Sequence, residues 1–567
     1  GYAVYLDAAG TAGINTSDYN AMYTTGNFIG YWGSASYAML SDLQSASLKD
    51  AASISVYPSF TSSTDLHSVS PWLDEAGTAV SPAIATDFDG DARSAPHDIG
   101  ADAFVPAPSS TTPMAGTYTI GSGGNYATFT AAVNDLLLKG VSAAVTFEVI
   151  SDTYIERFSI APVPGASSTN TVTFTSQSGT ASDVIVYYAA AGAGDNYVVQ
   201  FNGADYVRIQ NMTLASNSVP NSTYATVILF TGGVEGARIE GNNFIGTSTG
   251  GAAASQTLVY GPNALYTSRI VNGNTFTDGS WAVALTGYSS ALLSSGTQVN
   301  NNTFDNQGYG FSFLENQSAA RVNGNTGNGP AADRGAELQY CDAGLQVQKN
   351  NFSVSTGYGI YLYFCDGGTG LPTPRGNISN NMINVGGGGG AYGITLYYCT
   401  YQDVYFNSVN ITSSNLASGL GLYVVGTTTS VNVVNNVFAN PGGGYAVYLD
   451  AAGTAGINTS DYNDLYASGT NIAYWNGNMT NLSALQSASG KEASSTSVNP
   501  VFYSTSNLHV LNPQLDSAGT PIASVTNDID GEPRDPNYPD IGADEFSFIV
   551  TFTPSMLTGW NMIGLPL

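Results

Sequence analysis

Between Arg238 and Phe438 one short phrase keeps returning: an aliphatic residue, two variable positions, asparagine, one variable position, an apolar residue. Clear copies are Ile239-Asn242-Phe244, Val271-Asn274-Phe276, Val299-Asn302-Phe304 and Val347-Asn350-Phe352. Shorter or altered copies stand at Val322-Asn325, Ile378-Asn381-Ile383, Val404-Asn407-Val409 and Val433-Asn436-Phe438. Successive asparagines lie 32, 28, 23, 25, 31, 26 and 29 residues apart. A period in this range, built on β-branched residues and without heptads, is the mark of a repeat architecture. The uneven spacing argues against the tighter leucine-rich repeat and suits a solenoid whose turns differ in length.

A second phrase lies between the asparagines. Ile360-Tyr361-Leu362-Tyr363-Phe364-Cys365 and Ile394-Thr395-Leu396-Tyr397-Tyr398-Cys399 alternate with period two, as do Ala336–Cys341, Leu420–Val425 and Val447–Ala451. Alternation of this kind describes a strand with one buried face. Two such strands per coil, each with an inward aliphatic row, predict an all-β, right-handed parallel β-helix in which each side chain lies about 4.8 Å above its counterpart. Asparagine tolerates the left-handed backbone of a sharp bend, and stacked amides bond to one another. The eight residues Asn242, Asn274, Asn302, Asn325, Asn350, Asn381, Asn407 and Asn436 are therefore expected to form a ladder.

Composition narrows the partners. Thirteen basic against 41 acidic residues give a net charge of −28, which disfavours nucleic acid and anionic membrane surfaces. No apolar run reaches membrane-spanning length. The three cysteines, Cys341, Cys365 and Cys399, share one register and read as small stacked residues, not as a disulfide framework. The chain starts at Gly1 without a methionine, as expected of a processed product or a window on a longer chain.

Gly1 to Asn20 recurs without change at Gly444 to Asn463. The likeness continues through Ser41–Ser47 against Ser483–Ser489 and Thr64–His67 against Ser506–His509. It closes on Asp87-Phe-Asp-Gly-Asp-Ala-Arg93…Asp98-Ile-Gly-Ala-Asp102 against Asp528-Ile-Asp-Gly-Glu-Pro-Arg534…Asp540-Ile-Gly-Ala-Asp544. Residues 1–104 thus read as the last coil and closing segment of one unit, and 105–115, rich in Pro, Ser and Thr, as a linker. Residues 116–546 read as a complete neighbouring unit, so that the whole is a tandem array. Within it, 128–138 is a capping helix with Phe129, Val133, Leu136 and Leu137 on one face, Thr128 as cap and Gly140 as stop. Coils follow over about 145–460, and 463–546 is an irregular C-terminal cap with a helix near Leu482–Gly490. Residues 547–567 look like the start of a further β domain.

These phrases, the capping segment and the Asp-x-Asp-Gly…Arg…Asp-Ile-Gly-Ala-Asp signature resemble secreted bacterial right-handed parallel β-helix proteins of the pectin-lyase-like superfamily, over about nine-tenths of the chain. The Gly559–Leu567 tail is similar to modules that precede sorting domains in large cell-surface proteins. The resemblance implies fold and secretion, to the cell surface or beyond. Function varies widely on this fold. The polygalacturonase-type Asn-Thr-Asp, Gly-His-Gly and Arg-Ile-Lys motifs are absent, and between Gly241 and Gly444 there is no histidine.

Three groups of residues offer chemistry. Stacking sets Asp342 over Asp366, with Glu337 near, which fits a carboxylate pair for glycan cleavage, a cation site or a solvated acidic edge. The loops Asp87-x-Asp89-Gly-Asp91 and Asp528-x-Asp530-Gly-Glu532 invite calcium but place glycine fourth, where an EF-hand has it sixth. Their alternative is a staple in which Arg93 and Arg534 pair with Asp102 or Asp544. Tyr363, Tyr397 and Tyr423 are expected in one outward register, with Gln339 below and Asp450 above, as a surface for glycans or a neighbouring chain, or as sheet packing. No cofactor is required by this pattern, calcium apart. The leading expectation is an extracellular structural or adhesive protein assembling end to end into filaments, more a scaffold than an enzyme. The alternative is a polysaccharide-binding or polysaccharide-cleaving β-helix enzyme.

Overall fold

The computed structural model describes residues 1–547 apart from 25, 27, 38, 107–111, 217–222, 248–250 and 367–373. The expected domain start at 547–567 lies almost wholly outside the described residues, as does the centre of the 105–115 linker. From Met114 onward the chain winds as a right-handed parallel β-helix whose strands stack into sheets of 16, 13 and 12 members. Each coil thus carries three strands where two were expected. The asparagine phrase hides a corner: Arg238–Glu240 and Asn243–Ile245 are separate strands in different sheets. One residue is enough to turn that corner, so the sequence shows no gap.

The turning residue is not the ladder asparagine, as expected, but the one before it. Gly241, Gly273, Asn301, Gly324, Lys349, Asn380, Phe406 and Asn435 all have φ between 52° and 67°. The asparagine that follows is free to point inward and saturate the backbone around it. Asn274 is representative. Its Oδ1 accepts from Asn242 N and Nδ2 at 2.9 and 3.1 Å, while its own Nδ2 donates to Ile239 O and Asn302 Oδ1 at 2.9 and 3.0 Å. The row runs unbroken from Asn242 to Asn436, then adds a ninth rung at Asn463, whose Nδ2 donates to Glu492 Oε2 at 3.2 Å.

Inside, two apolar rows follow from the phrase. Ile239, Val271, Val299, Val322, Val347, Ile378, Val404 and Val433 stand in register on one side of the corner. On the other stand Phe244, Phe276, Phe304, Gly327, Phe352, Ile383, Val409 and Phe438. Where Gly327 interrupts the aromatic row, Phe311 from the third sheet fills the space, stacked on Phe304 at 5.4 Å and tilted against Phe352 at 5.3 Å. A Cβ on Gly327 would lie 2.4 Å from that ring. Each buried aromatic or aliphatic side chain of these rows is worth about 1.5–3 kcal/mol. Cys341, Cys365 and Cys399 are buried and free, their thiols donating to Leu314 O, Leu338 O and Leu362 O.

Both ends of the column are covered. The helix Phe129–Lys139, capped by Thr128 Oγ1 on Ala131 N, buries Phe129, Ala132, Val133 and Leu136 against the first coils. At the far end the helix Leu482–Ser489 buries Leu485. The segment beyond it returns along the column: Leu508 and Ala543 meet Met382, Val525 meets Tyr405, Phe406 and Val434, and Ile541 meets Val437 and Ala439. Residues 1–104 repeat the strand, helix and closing segment of 444–546 and touch the column's flank, with Phe28 and Tyr288 edge to face at 4.9 Å. Among the described residues no helix is long and apolar enough to cross a membrane.

Candidate functional site

The third sheet carries an outward field of tyrosines, and a column of small residues makes it possible. Gly335, Gly359, Gly393 and Gly421 succeed one another up the sheet, and a Cβ on any of them would come within 2.8 Å of the backbone oxygen above, at Gly359, Gly393, Gly421 and Ala446. Each glycine precedes an inward aliphatic residue, and the residue before each glycine stands on the outer face: Arg334, Tyr358, Tyr392 and Leu420. One outward row is Arg334, Tyr358, Tyr392, Leu420, Tyr445; a second is Glu337, Tyr361, Thr395, Tyr423, Tyr448, Tyr474. A third is Gln339, Tyr363, Tyr397, Val425.

Tyr423 therefore does not continue the Tyr363–Tyr397 row as expected. The inward pair Ile394 and Leu396 meets Leu422 and Val424, two positions beyond the alignment the sequence suggests, which moves Tyr423 beside Thr395. The rings are half-buried and in contact. Tyr358 and Tyr392 stack at 4.6 Å, Tyr363 and Tyr397 at 5.5 Å, Tyr448 and Tyr474 at 4.3 Å. At the corner beside them Phe364 stacks on Tyr340 and Tyr398 at 5.5 and 4.8 Å. Burial, with the neighbouring Tyr392 and Tyr448, pushes the Tyr423 phenol up to about 12, so it is a neutral hydroxyl across the physiological range.

At the lower edge of this field Arg334 is held over the Tyr358 ring at 4.5 Å. Its Nε donates to Glu337 Oε2 at 3.0 Å and its Nη1 to Asp333 Oδ2 at 2.6 Å. Glu337 also accepts from Gln339. Asp342 and Asp366 do stack on adjacent coils, but each accepts a hydrogen bond from the next coil: Asp366 N reaches Asp342 Oδ1 and Thr400 Oγ1 reaches Asp366 Oδ1, both at 2.9 Å. Burial raises the Asp342 carboxyl above its ordinary range. Glu337 thus belongs to an ion-pair network on the sheet face, and the two aspartates to a ladder past the corner.

The acidic loops divide their residues. Asp87 accepts from the backbone N–H of Asp89, Asp91 and Ala103, and Asp528 from those of Glu532 and Glu545, so both serve as turn staples. Asp91 and Glu532 are exposed. Asp89 and Asp530 each face a histidine that the sequence reading did not include. His67 Nε2 lies 2.6 Å from Asp89 Oδ2, and His509 Nε2 lies 2.7 Å from Asp530 Oδ2. Asp102 and Asp544 complete the two groups. Arg534 pairs with Glu545 at 3.3 Å and with the carbonyl of Gly542, not with the Asp544 carboxylate, which faces His509 instead. Arg93 donates to Gly100 O.

No family model matches the sequence, and no curated protein does. Among solved structures the chain is similar to a PL6-family alginate lyase, at 12% identity and a TM-score of 0.38, with 78% of this chain and 60% of the lyase covered. It is similar to a rhamnogalacturonan lyase at 10% identity and a TM-score of 0.30, covering 75% and 96%. A pectin methylesterase from Aspergillus niger follows at 11% identity and 0.22, covering 70% and 95%.

Proposed function

We propose that this is an extracellular adhesive β-helix protein that holds a polysaccharide chain along the tyrosine field of its third sheet. The observation that carries the reading is the set of aromatic rows itself. Tyr358 with Tyr392, Tyr363 with Tyr397 and Tyr448 with Tyr474 stack face to face up the column, with Gln339 below the Tyr363 row. With the ring faces turned to one another, the ring edges and hydroxyls of these rows are what a sugar chain lying along the column would meet. An acidic protein would select neutral or cationic glycans over polyanions. The Arg334 guanidinium, engaged by Glu337 and Asp333, is not free to pair with a uronate. The test is retention of the protein by insoluble neutral polysaccharides in sedimentation assays. Binding should fall at least tenfold in Tyr363→Ala/Tyr397→Ala with the circular dichroism spectrum unchanged. Equal retention of wild type and variant, or release of shortened products from the polysaccharide, would count against a binding face.

End-to-end assembly of columns is a second reading, favoured by one observation: strand Val4–Asp7 is the edge of its sheet, whereas its twin Tyr445–Leu449 lies between two strands. In that reading the 1–104 unit stacks on coils like 419–440 of another column. Linear particles by electron microscopy support it, and discrete monomers at all concentrations refute it.

A further inference from the structure

The two histidine groups stand apart from the tyrosine field and repeat each other. In the 444–546 cap they are His509, Asp530 and Asp544; in the 1–104 unit, His67, Asp89 and Asp102. In each, one imidazole nitrogen and two carboxylate oxygens all lie within 4.8 Å of one another. Around them the two sequences differ: Asp65 becomes Asn507, Phe88 becomes Ile529, Asp91 becomes Glu532. The three potential ligands do not change.

The tautomer of His509 is set from behind. Asn507 Oδ1 accepts from His509 N at 3.1 Å, which orients that amide with its oxygen toward the ring. The same oxygen meets His509 Nδ1. An amide oxygen can only accept, so Nδ1 carries the proton. In the neutral ring Nε2 then presents a lone pair toward Asp530 Oδ2 at 2.7 Å and Asp544 Oδ1 at 3.7 Å. Asp544 is 7% exposed, and its carboxylate faces Nε2 of His509. Its other neighbour is the buried carboxylate of Asp528. Three electron-pair donors thus converge with no donor hydrogen between them. A proton held within the group or a cation in the centre resolves that arrangement.

We infer that His509, Asp530 and Asp544 bind a divalent transition-metal ion of the zinc class, and that His67, Asp89 and Asp102 form a second site of the same kind. An imidazole nitrogen among the ligands selects zinc or its neighbours over calcium and magnesium, which take oxygen. An Nδ1–H anchored on a side-chain oxygen is the usual support of a metal-ligating histidine. The ion ties together three irregular segments, the loop bridged by Phe502 and Val510, the turn bridged by Asn527 and Pro533, and the final Asp540–Glu545 stretch. Residues next to its ligands, Leu508, Ile529 and Ala543, are those that meet Met382. The site therefore fastens the cap to the side of the column.

The full chain is freed of metal with a chelator, dialysed against zinc chloride, and its metal counted by elemental analysis. Two zinc ions per chain are expected, one in His509→Gln and none in His67→Gln/His509→Gln, with excess calcium chloride displacing neither. Unchanged zinc content in the double variant, no zinc above the dialysis buffer, or displacement by calcium overturns the inference and leaves an imidazolium ion pair. Should the variants misfold, cobalt(II) loaded into the wild-type chain decides. Visible bands of a nitrogen-ligated ion support the site, and the spectrum of the hydrated ion overturns it.

Discussion

Gly1–Asn20 and Gly444–Asn463 are the same twenty residues in two settings. Locally they fold alike. Asp7 caps its short helix on Gly10 N at 2.7 Å, and Asp450 does so on Gly453 N at 2.6 Å. Lys49 Nζ reaches Asn15 O at 2.9 Å, and Lys491 Nζ reaches Asn458 O at the same distance. Burial separates them. Val447 and Leu449 are sealed against the coil below, while Val4 and Leu6 are only half-buried. Further along, Leu66 is 63% exposed and its counterpart Leu508 1%. Ile84 is 62% exposed and Val525 6%. Local geometry in this protein is written into the segment, whereas its hydrophobic stabilisation is conferred by the coils it stands on.

The ladder should show the difference most sharply. Asn463→Ala removes the acceptor of Asn436 N and Nδ2 and the donor to Val433 O and Glu492. Four buried hydrogen bonds with partners left unsatisfied cost about 4–6 kcal/mol. Asn20 has no rung beneath it and is exposed, so Asn20→Ala should cost about 1 kcal/mol or less. Hydrogen exchange of the amides at 433–437 and 17–22 would compare the two. Equal losses would mean that the first unit rests on something that seals it as the column seals the second.

Next in size is a pH effect confined to one copy. Asp464, whose counterpart is Ala21, is fully buried with Oδ2 unbonded, and burial pushes its pKa up to about 7. The folded state then holds the proton more tightly than the unfolded chain, with its pKa near 3.9. This stabilisation is complete below about pH 4 and is lost as pH rises through 7, by as much as ~4 kcal/mol. Exchange at 463–498 should speed up from pH 5 to pH 8, after correction for the intrinsic rate, and Asp464→Asn should flatten that trend. A cap tightest at high pH would contradict the assignment.

Smaller effects test packing and then its absence. Leu449→Ala should cost about 3 kcal/mol and Leu6→Ala about 1 kcal/mol, read from the local exchange free energies of each strand. The helix caps should show no difference between copies: Asp7→Ala and Asp450→Ala should each cost about 1 kcal/mol, because the bond removed is internal to the segment. Unequal cap costs would mean that the coil below also shapes the local fold.

Much of this was legible from residue patterns because the interior rows are built from one repeated phrase. Ile239 to Val433 and Phe244 to Phe438 stand where their spacing put them, and Thr128, Phe129 and Gly140 announce the capping helix. The third strand per coil was hidden because a single left-handed residue such as Gly241 or Lys349 turns the corner without interrupting the apolar pattern. The Tyr423 register escaped because Leu-Gly-Leu and Ile-Thr-Leu align equally well at either of two positions, and only the glycine column decides. His67 and His509 were passed over because their partners lie 22 and 21 residues away at Asp89 and Asp530, outside any local motif. Their shared Leu-His context in both copies was the available signal.

The asparagine row has a consequence for how such a chain can change. Successive rungs are joined through 23 residues at one step and 32 at another, yet every joint is the same pair of amide bonds. Height along the axis is therefore counted in asparagines, about 4.8 Å apiece, and the contour of each turn is left free. A loop can be lengthened or trimmed without altering pitch, and a whole turn, from one rung to the next, can be excised or duplicated with the amide row closing across the cut. The rod can grow or shrink in unit steps while its cross-section stays the same.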